Sequence, residues 1–424
     1  MIGDIGAMLA TAELIRESAQ LSRLTENLPR WRAVPIYQKL LAGALGGRAG
    51  IAKFQQLPFL AKRALREGFP GNFLPAGQTL DFLLEQKLVE LEHTSGTSEE
   101  RVPVILGRGW WDAQEERALR LNPFIARVLD EFPGARRATL VAPACNGLTC
   151  PTAWMSREQR TVGNTRFLNL ARIPFVLSEA ESARMADEIS DWSPQFLDVD
   201  PVHGAWLARY CERRGIRFPS LRFVLASYEF VSVVHRRILE RAFGVPVFNL
   251  YGSTETGHLL VQDDSGRMKC GYDTAYLEIV NADESGVGEL VVTTFANEYM
   301  PLLRYRIGDL AQRHARPYGN DYTLHGRIRD ALRTRDGRQV TTAQVDCCFA
   351  ESTGIAHYEL SQDGPGEARL RVVADGTETS GWRQTARELE ALLGLRKELE
   401  LESVPLLLPA ASGKFRLTRP APEP

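Results

Sequence analysis

The sequence predicts an α/β protein: a large N-terminal α/β domain with parallel sheets and a β-rich lobe, then a small C-terminal α+β domain. Three features lead there. Short apolar runs at 138–143, 221–226 and 245–250 each lie near a helical segment, the pattern of a mostly parallel sheet with helices on its faces. After about residue 265, strand-like stretches are separated by Gly-rich turns such as Glu284-Ser285-Gly286-Val287-Gly288, which reads as a β-rich lobe. Beyond Gly326 the order strand, helix, strand, strand, helix, strand describes a separate α+β unit. The expected domains are residues 1–326 and 327–424.

In chain order, the first 90 residues read mostly helical. Residues 11–28 place Leu14, Leu21 and Leu24 near one face, and a second helix is expected over 34–45. Pro58, Pro70 and Pro75 then break the pattern into short pieces. A strand is expected at Leu88–Leu91, then the polar run His93 to Ser98, then a helix over 110–130. Buried strands follow at 138–143, 174–177, 221–226 and 245–250, and lobe strands at 275–280, 288–294 and 310–313. The last hundred residues should hold a helix at 342–351, strands at 356–361 and 368–374, and a helix at 379–393. The Pro-rich tail from Pro420 reads as disordered.

Composition excludes several classes. The 424 residues carry 51 basic and 53 acidic side chains, a net charge of −2, so no basic excess exists to hold nucleic acid. No apolar run is long enough to cross a bilayer, and no basic segment precedes an apolar one at the start. The reading is a soluble, cytoplasmic protein with neither a nucleic-acid nor a membrane partner. Six cysteines show no metal-ligand spacing and are expected to be reduced packing residues. Only seven of the 51 basic residues are lysines, which makes each one conspicuous.

Four motifs carry chemistry. Thr94-Ser95-Gly96-Thr97-Ser98 offers hydroxyls and backbone N–H groups in a turn that can wrap phosphate oxygens, although such runs also make plain turns. Asn249-Leu250-Tyr251-Gly252-Ser253-Thr254-Glu255 follows an apolar strand. It places an aromatic face, a close-approach glycine, hydroxyls and a carboxylate at a strand's carboxyl end, where α/β sheets bind ligands. Arg304-Tyr305-Arg306-Ile307-Gly308-Asp309 comes next, with Gly326-Arg327-Ile328-Arg329-Asp330 after it. Ser412-Gly413-Lys414-Phe415-Arg416 ends the small domain with one of the scarce lysines.

In this order the motifs resemble the adenylate-forming superfamily of acyl- and aryl-CoA synthetases, adenylation domains and luciferases. The phenylacetate-CoA ligase branch is the most similar. Val34-Pro35-Ile36-Tyr37, Ser220-Leu221-Arg222 and the run Glu298 to Arg306 carry the likeness, which extends over nearly the full chain. The resemblance implies that a carboxylic acid, expected to be small and aromatic, is activated by Mg2+ and ATP as an acyl-adenylate. The acyl group then passes to CoA, or alternatively to a carrier protein, an amine or an alcohol. By the same resemblance Thr94 to Ser98 would hold the phosphates, Tyr251, Gly252 and Ser253 the nucleotide, and Asp309 and Arg327 the ribose side. Thr254 would reach the α-phosphate, Glu255 the Mg2+, and Lys414 the attacking carboxylate. The acyl pocket is expected around the Trp110-Trp111 helix, Cys145, Asn146, Gly147, Tyr228 and Glu229. The small domain would be mobile about a hinge at Arg329, and a homodimer is compatible with the branch.

Three departures stand out. The phosphate loop continues with Glu99 where a second glycine is usual. Tyr228 replaces a small residue in the segment that normally reads Gly-Ala-Glu, and the hinge reads Arg329-Asp330 where two acids are usual. A third reading, from another class, is therefore a catalytically silent nucleotide-binding relative. The retention of Glu255, Asp309, Arg327 and Lys414 together argues against it.

Overall fold

The structure, a computed structural model, describes residues 19–20, 22–42, 51–94, 101–141, 155–168, 173–316, 319–364, 366–376 and 381–421. The chain divides into two compact units, each assembled from two stretches: Met1–Asn122 with Tyr251–Leu324, and Pro123–Leu250 with His325–Pro424.

In the first unit, an antiparallel hairpin pairs Val89–His93 with Pro103–Gly107. The lobe strands Ala275–Val280, Val287–Thr294 and Tyr305–Arg316 pair antiparallel in sequence order. Met268–Cys270 pairs antiparallel with Gly257–Gln262 on one side and with Gly319–Arg327 on the other. Every residue of Val287–Thr294 is buried, as expected for a strand covered on both faces. The Tyr37 hydroxyl of helix Pro35–Ala42 donates to the Pro301 carbonyl at 2.8 Å and accepts from the Leu303 N–H at 3.2 Å. It thereby fixes the segment leading into Tyr305. Trp31, Leu65, Phe73 and Tyr305 belong to the same buried core.

The second unit holds the parallel sheet. Phe196–Val199 lies between Arg137–Leu140 and Phe223–Ala226, all parallel, and Phe223–Ala226 pairs in parallel with the start of Val247–Ser253. Helix Pro201–Arg214 is set by its ends. Asp200 accepts from the N–H groups of Val202 (3.0 Å) and His203 (3.2 Å), Pro201 needs no acceptor, and Gly215 closes the helix at φ 67°. The C-terminal stretch forms its own four-stranded sheet, in the order Glu400–Ser403, Glu367–Ala374, Ile355–Gly364, Thr418–Arg419.

Helix Val233–Phe243 is capped twice. The Ser232 hydroxyl accepts from the Val234 N–H at 3.1 Å. Asp346, from the C-terminal stretch, accepts from the Val233 N–H at 2.9 Å and from the Ser232 hydroxyl.

The expected fold class is the observed one, with local corrections. The helix expected over 110–130 is two helices, Trp110–Leu119 and Pro123–Glu131. Pro123 supplies no N–H and disfavours helical geometry at Asn122, yet suits the first position of a new helix. Residues 174–177, expected as a strand, form a 3-10 turn at Pro174–Val176, closed by the Leu177 N–H on the Pro174 carbonyl at 3.1 Å. Phe175 and Leu177 pack against the core without strand pairing, while Val176 is exposed. The helix after Thr341 ends at Cys347, earlier than expected. Of the described cysteines, Cys211 is buried whereas Cys347 is exposed, so packing does not account for all of them. No described helix is long and apolar enough to cross a membrane.

Candidate active site

The strand Val247–Ser253 delivers Tyr251 to its carboxyl end, and in the first unit the Tyr251 hydroxyl donates to Asp309 Oδ2 at 2.7 Å. Asp309, 6 % exposed, comes from the start of strand Tyr305–Arg316. The loop between them is shaped by two glycines. A Cβ on Gly252 would sit 2.1 Å from the Gly257 carbonyl oxygen, and one on Gly257, at φ +69°, would meet the Trp110 ring at 2.6 Å. No larger residue fits either position without moving backbone or indole. The Ser253 and Thr256 hydroxyls lie 3.0 Å apart across the turn. The side chain of Thr254 makes no hydrogen bond among the described residues.

Glu255 is buried beside Tyr305, whose hydroxyl donates to Glu255 Oε1 at 3.0 Å, and Lys62 Nζ stands 4.0 Å from the same oxygen. These hydrogen-bond and ion-pair contacts among the described residues fall on Oε1. Among the described residues no group of three or more His, Cys, Asp or Glu side chains could hold a metal alone. One carboxylate suits Mg2+, which is commonly held by one or two carboxylates together with substrate phosphates. Thr94 is less available: its hydroxyl accepts from the Val102 N–H at 3.0 Å and closes the hairpin. Ser95, Gly96, Thr97, Ser98 and Glu99 lie outside the described residues, as do Cys145, Asn146 and Gly147. Trp111 meets His258 edge-on, ring centroids 4.8 Å apart.

The second unit holds Lys414. Gly413, at φ 86°, turns the chain, and the Gly413 N–H bonds the Ala410 carbonyl at 2.8 Å. Lys414 Nζ donates to the Tyr228 carbonyl at 2.6 Å, and the Phe415 N–H donates to Glu229 Oε1 at 2.7 Å. The turn Ser227-Tyr228-Glu229 follows strand Phe223–Ala226 and is thus a receptor for the Lys414 turn. Tyr228 has φ 74°, a left-handed backbone that glycine adopts without cost. Asp198, at the end of the neighbouring parallel strand, holds it there: Oδ1 accepts from the Ser227 hydroxyl at 2.9 Å and Oδ2 from the Tyr228 hydroxyl at 2.7 Å.

The electrostatics below this turn are tight. Burial, then the neighbouring Asp200 carboxylate, push the Glu229 carboxyl well above the usual range. Burial also raises Asp200, but His203 (Nδ1 at 3.1 Å) and the two helical N–H groups outweigh it and hold this carboxyl low. His235 Nε2 and His357 Nδ1 pair at 3.0 Å in a buried cluster with Phe175 and Phe415. Burial pushes His235 down to about 4.

Arg327 is half-buried at the entry to the turn Ile328–Asp330, and Arg329 is exposed there. Arg416 bridges this segment to the lysine turn, donating to the Arg329 carbonyl at 3.3 Å and pairing with Asp330. Asp198 was not singled out from sequence, and Tyr305 and Arg416 stood there only as members of the third and fourth motifs, with no role. Asp198 could have been, as one of two acids alternating with apolar residues at a strand's carboxyl end, Phe196-Leu197-Asp198-Val199-Asp200.

No family model matches the chain. A phenylacetate-coenzyme A ligase of Thermus thermophilus is 26 % identical over 381 residues, 84 % of this chain and 80 % of that protein. One of Aromatoleum evansii is 24 % identical, over 94 % of this chain and 89 % of the relative. Among solved structures, 2-hydroxyisobutyryl-CoA ligase in the postadenylation state superposes with TM-score 0.70 at 18 % identity, covering 97 % of this chain and 90 % of that one. With the motif order, these likenesses support the adenylate-forming superfamily of AMP-forming ligases and its phenylacetate-CoA ligase branch.

Proposed function

We propose that the chain activates a small carboxylic acid with ATP as an acyl-adenylate and passes the acyl group to the CoA thiol, the acid being aromatic. The observation that carries this reading is Lys414, one of seven lysines, held at 2.6 Å on the Tyr228 carbonyl at the carboxyl edge of a parallel sheet. In the first half-reaction a carboxylate oxygen attacks the α-phosphorus. The bond from that phosphorus to the bridging oxygen breaks, and pyrophosphate leaves. In the second, the thiol sulfur attacks the acyl carbon, AMP departs, and the thiol proton is released.

Lys414 exchanges its carbonyl partner for the attacking carboxylate and so places positive charge where negative charge develops. Asp309 accepts from the ribose hydroxyls and Tyr251, tied to it, lies along the adenine. Gly252 and Ser253 let the backbone approach the nucleotide, Thr254 donates to the α-phosphate, and Arg327 supports the ribose side. Glu255 would help to hold Mg2+, which when bound would neutralise charge on the phosphates. Thr94 anchors the loop whose residues Ser95 to Ser98 take the terminal phosphates. Tyr228 and Glu229, with Cys145, Asn146 and Gly147, bound the acid. Residues 327–424 work as a small domain that turns about Arg329 between half-reactions. The protein is proposed to be cytoplasmic.

Arg329, where two acids are usual in the branch, favours a second reading in which the acceptor is a carrier-protein thiol, an amine or an alcohol. The experiment is pyrophosphate release from Mg-ATP with benzoic, hydroxybenzoic, phenylacetic and short aliphatic acids, with and without CoA. Acid-dependent release that falls about 10²–10³-fold in Lys414→Ala is expected. Release that Lys414→Ala leaves unchanged refutes the role of the lysine. AMP formation indifferent to CoA favours the second reading.

A further inference from the structure

The second unit contains a cavity of about 410 Å3 whose charged walls are Arg209, Arg213, Arg237, Arg241, Glu212 and Asp375. Arg209 and Glu212 come from helix Pro201–Arg214, Arg237 and Arg241 from helix Val233–Phe243, and Asp375 follows strand Glu367–Ala374. Four guanidinium groups face two carboxylates, an excess of two positive charges in a chain whose net charge is −2.

The hydrogen bonds show which donors are committed. Arg241 is held by Glu212 through Nε (2.7 Å) and Nη2 (2.9 Å), and by Asp375 at 2.9 Å. Arg209 Nε donates to Asp375 at 2.6 Å and Nη2 to the Ala374 carbonyl at 2.9 Å. Both carboxylates are thus consumed by these two arginines. Arg209 Nη1 is buried without a hydrogen-bond partner, with the guanidinium lying over Trp206 at 4.4 Å. Among the described residues, Arg237 hydrogen-bonds the Ala350 carbonyl at 2.9 Å and Arg213 makes a 3.7 Å contact with the exposed Glu179. Burial, then the adjacent Arg241 charge, lower the Arg237 pKa against the more distant pull of Glu351, Asp346 and Asp375. Among the described residues neither arginine has a hydrogen-bonded carboxylate partner within the cavity.

We propose that this cavity is a binding site for a dianionic phosphoryl group, taken either as free phosphate or as the head of a small phosphomonoester. The charge of such a group matches the excess of two. Planar guanidinium forks match phosphoryl oxygens in pairs, and the volume lies within the range of small-ligand pockets. None of these residues has a role in the ligase reaction proposed above, and the site needs neither ATP nor a carboxylic acid. Asp375 lies on the stretch proposed to rotate, so the site is complete only while that stretch is seated.

The test is calorimetric titration of the full chain with inorganic phosphate and with glycerol phosphate, using chloride at matched ionic strength as control and adding neither ATP nor acid. Saturable binding of at least one phosphoryl probe is expected, undiminished in Lys414→Ala. It should weaken about ten- to a hundredfold in Arg237→Ala, the loss of one charged hydrogen-bonding group. Arg237→Lys, which keeps the charge without the fork, should recover part of the affinity and reports on folding. Tighter binding of glycerol phosphate assigns the site to a phosphomonoester, and tighter binding of phosphate to the free ion. Absence of saturable binding, an equal response to chloride, or binding lost in Lys414→Ala but intact in Arg237→Ala overturns the proposal.

Discussion

Removing the Tyr228 hydroxyl isolates what holds the receptor for Lys414. In Tyr228→Phe the ring and the left-handed backbone at φ 74° remain, while the 2.7 Å bond to Asp198 Oδ2 is lost. Asp198 is buried, so one acceptor of a buried carboxylate is left short of a donor. The loss of a hydrogen bond to a charged group is expected to cost about 1.5–3 kcal/mol. A non-glycine residue in this backbone region stores about 1–3 kcal/mol, which the bond to Asp198 helps to offset. Without it the turn is free to relax, and the carbonyl that receives Lys414 Nζ moves with it. Equilibrium urea unfolding at neutral pH should give an unfolding free energy lowered by about 1.5–3 kcal/mol, and acid-dependent pyrophosphate release should fall about tenfold with little change in the ATP concentration required. Tyr228→Gly removes the hydroxyl and the backbone strain together, so its stability should lie above that of Tyr228→Phe, on the side of the wild type. Unchanged stability and rate in Tyr228→Phe would show that the Asp198 bond does not hold the turn.

Three further outcomes are expected. Gly252→Ala should abolish nucleotide binding, read by calorimetry with ATP, because its Cβ would fall 2.1 Å from the Gly257 carbonyl. His235 is neutral in the folded protein down to about pH 4 but protonates near 6.5 when unfolded, so stability is lost as pH falls from 6.5 towards 4, by up to about 3 kcal/mol. The difference between wild-type and His235→Leu unfolding free energies across that window should display this slope, and a difference independent of pH would contradict it. For Glu229 the sign is opposite: its carboxyl is raised in the fold, so its contribution is full below the unfolded value and lost as pH rises through the folded one. Glu229→Gln keeps an acceptor for the Phe415 N–H and should flatten the decline in stability with rising pH.

The parallel strands were legible because Phe223-Val224-Leu225-Ala226 is apolar on both faces and can be buried only between covering layers. The lobe strands were legible from their glycine-rich turns, whereas of the hairpin only its first strand was expected and Pro103–Gly107 was not. What composition concealed was context. Phe175-Val176-Leu177 is apolar enough for a strand, yet Pro174 turns it into a 3-10 loop that packs without pairing. Tyr251, Asp309, Glu255 and Lys414 announced themselves by residue type and order. Tyr305 reaches Glu255, and Asp198 the Tyr228 turn, from elements distant in sequence, and no local pattern encodes which acid or hydroxyl a fold will bring beneath a catalytic turn.

The cap that Asp346 provides for helix Val233–Phe243 makes that helix a witness to its neighbour. Its first N–H is satisfied by a carboxylate on the stretch proposed to rotate. Each excursion of residues 327–424 would strip that acceptor from the Val233 N–H and leave the Ser232 hydroxyl as the remaining cap, at a cost of about 1 kcal/mol. Amide exchange at Val233 and the following turn should therefore quicken whenever the small domain leaves, giving the unmodified protein its own clock for the traffic between half-reactions.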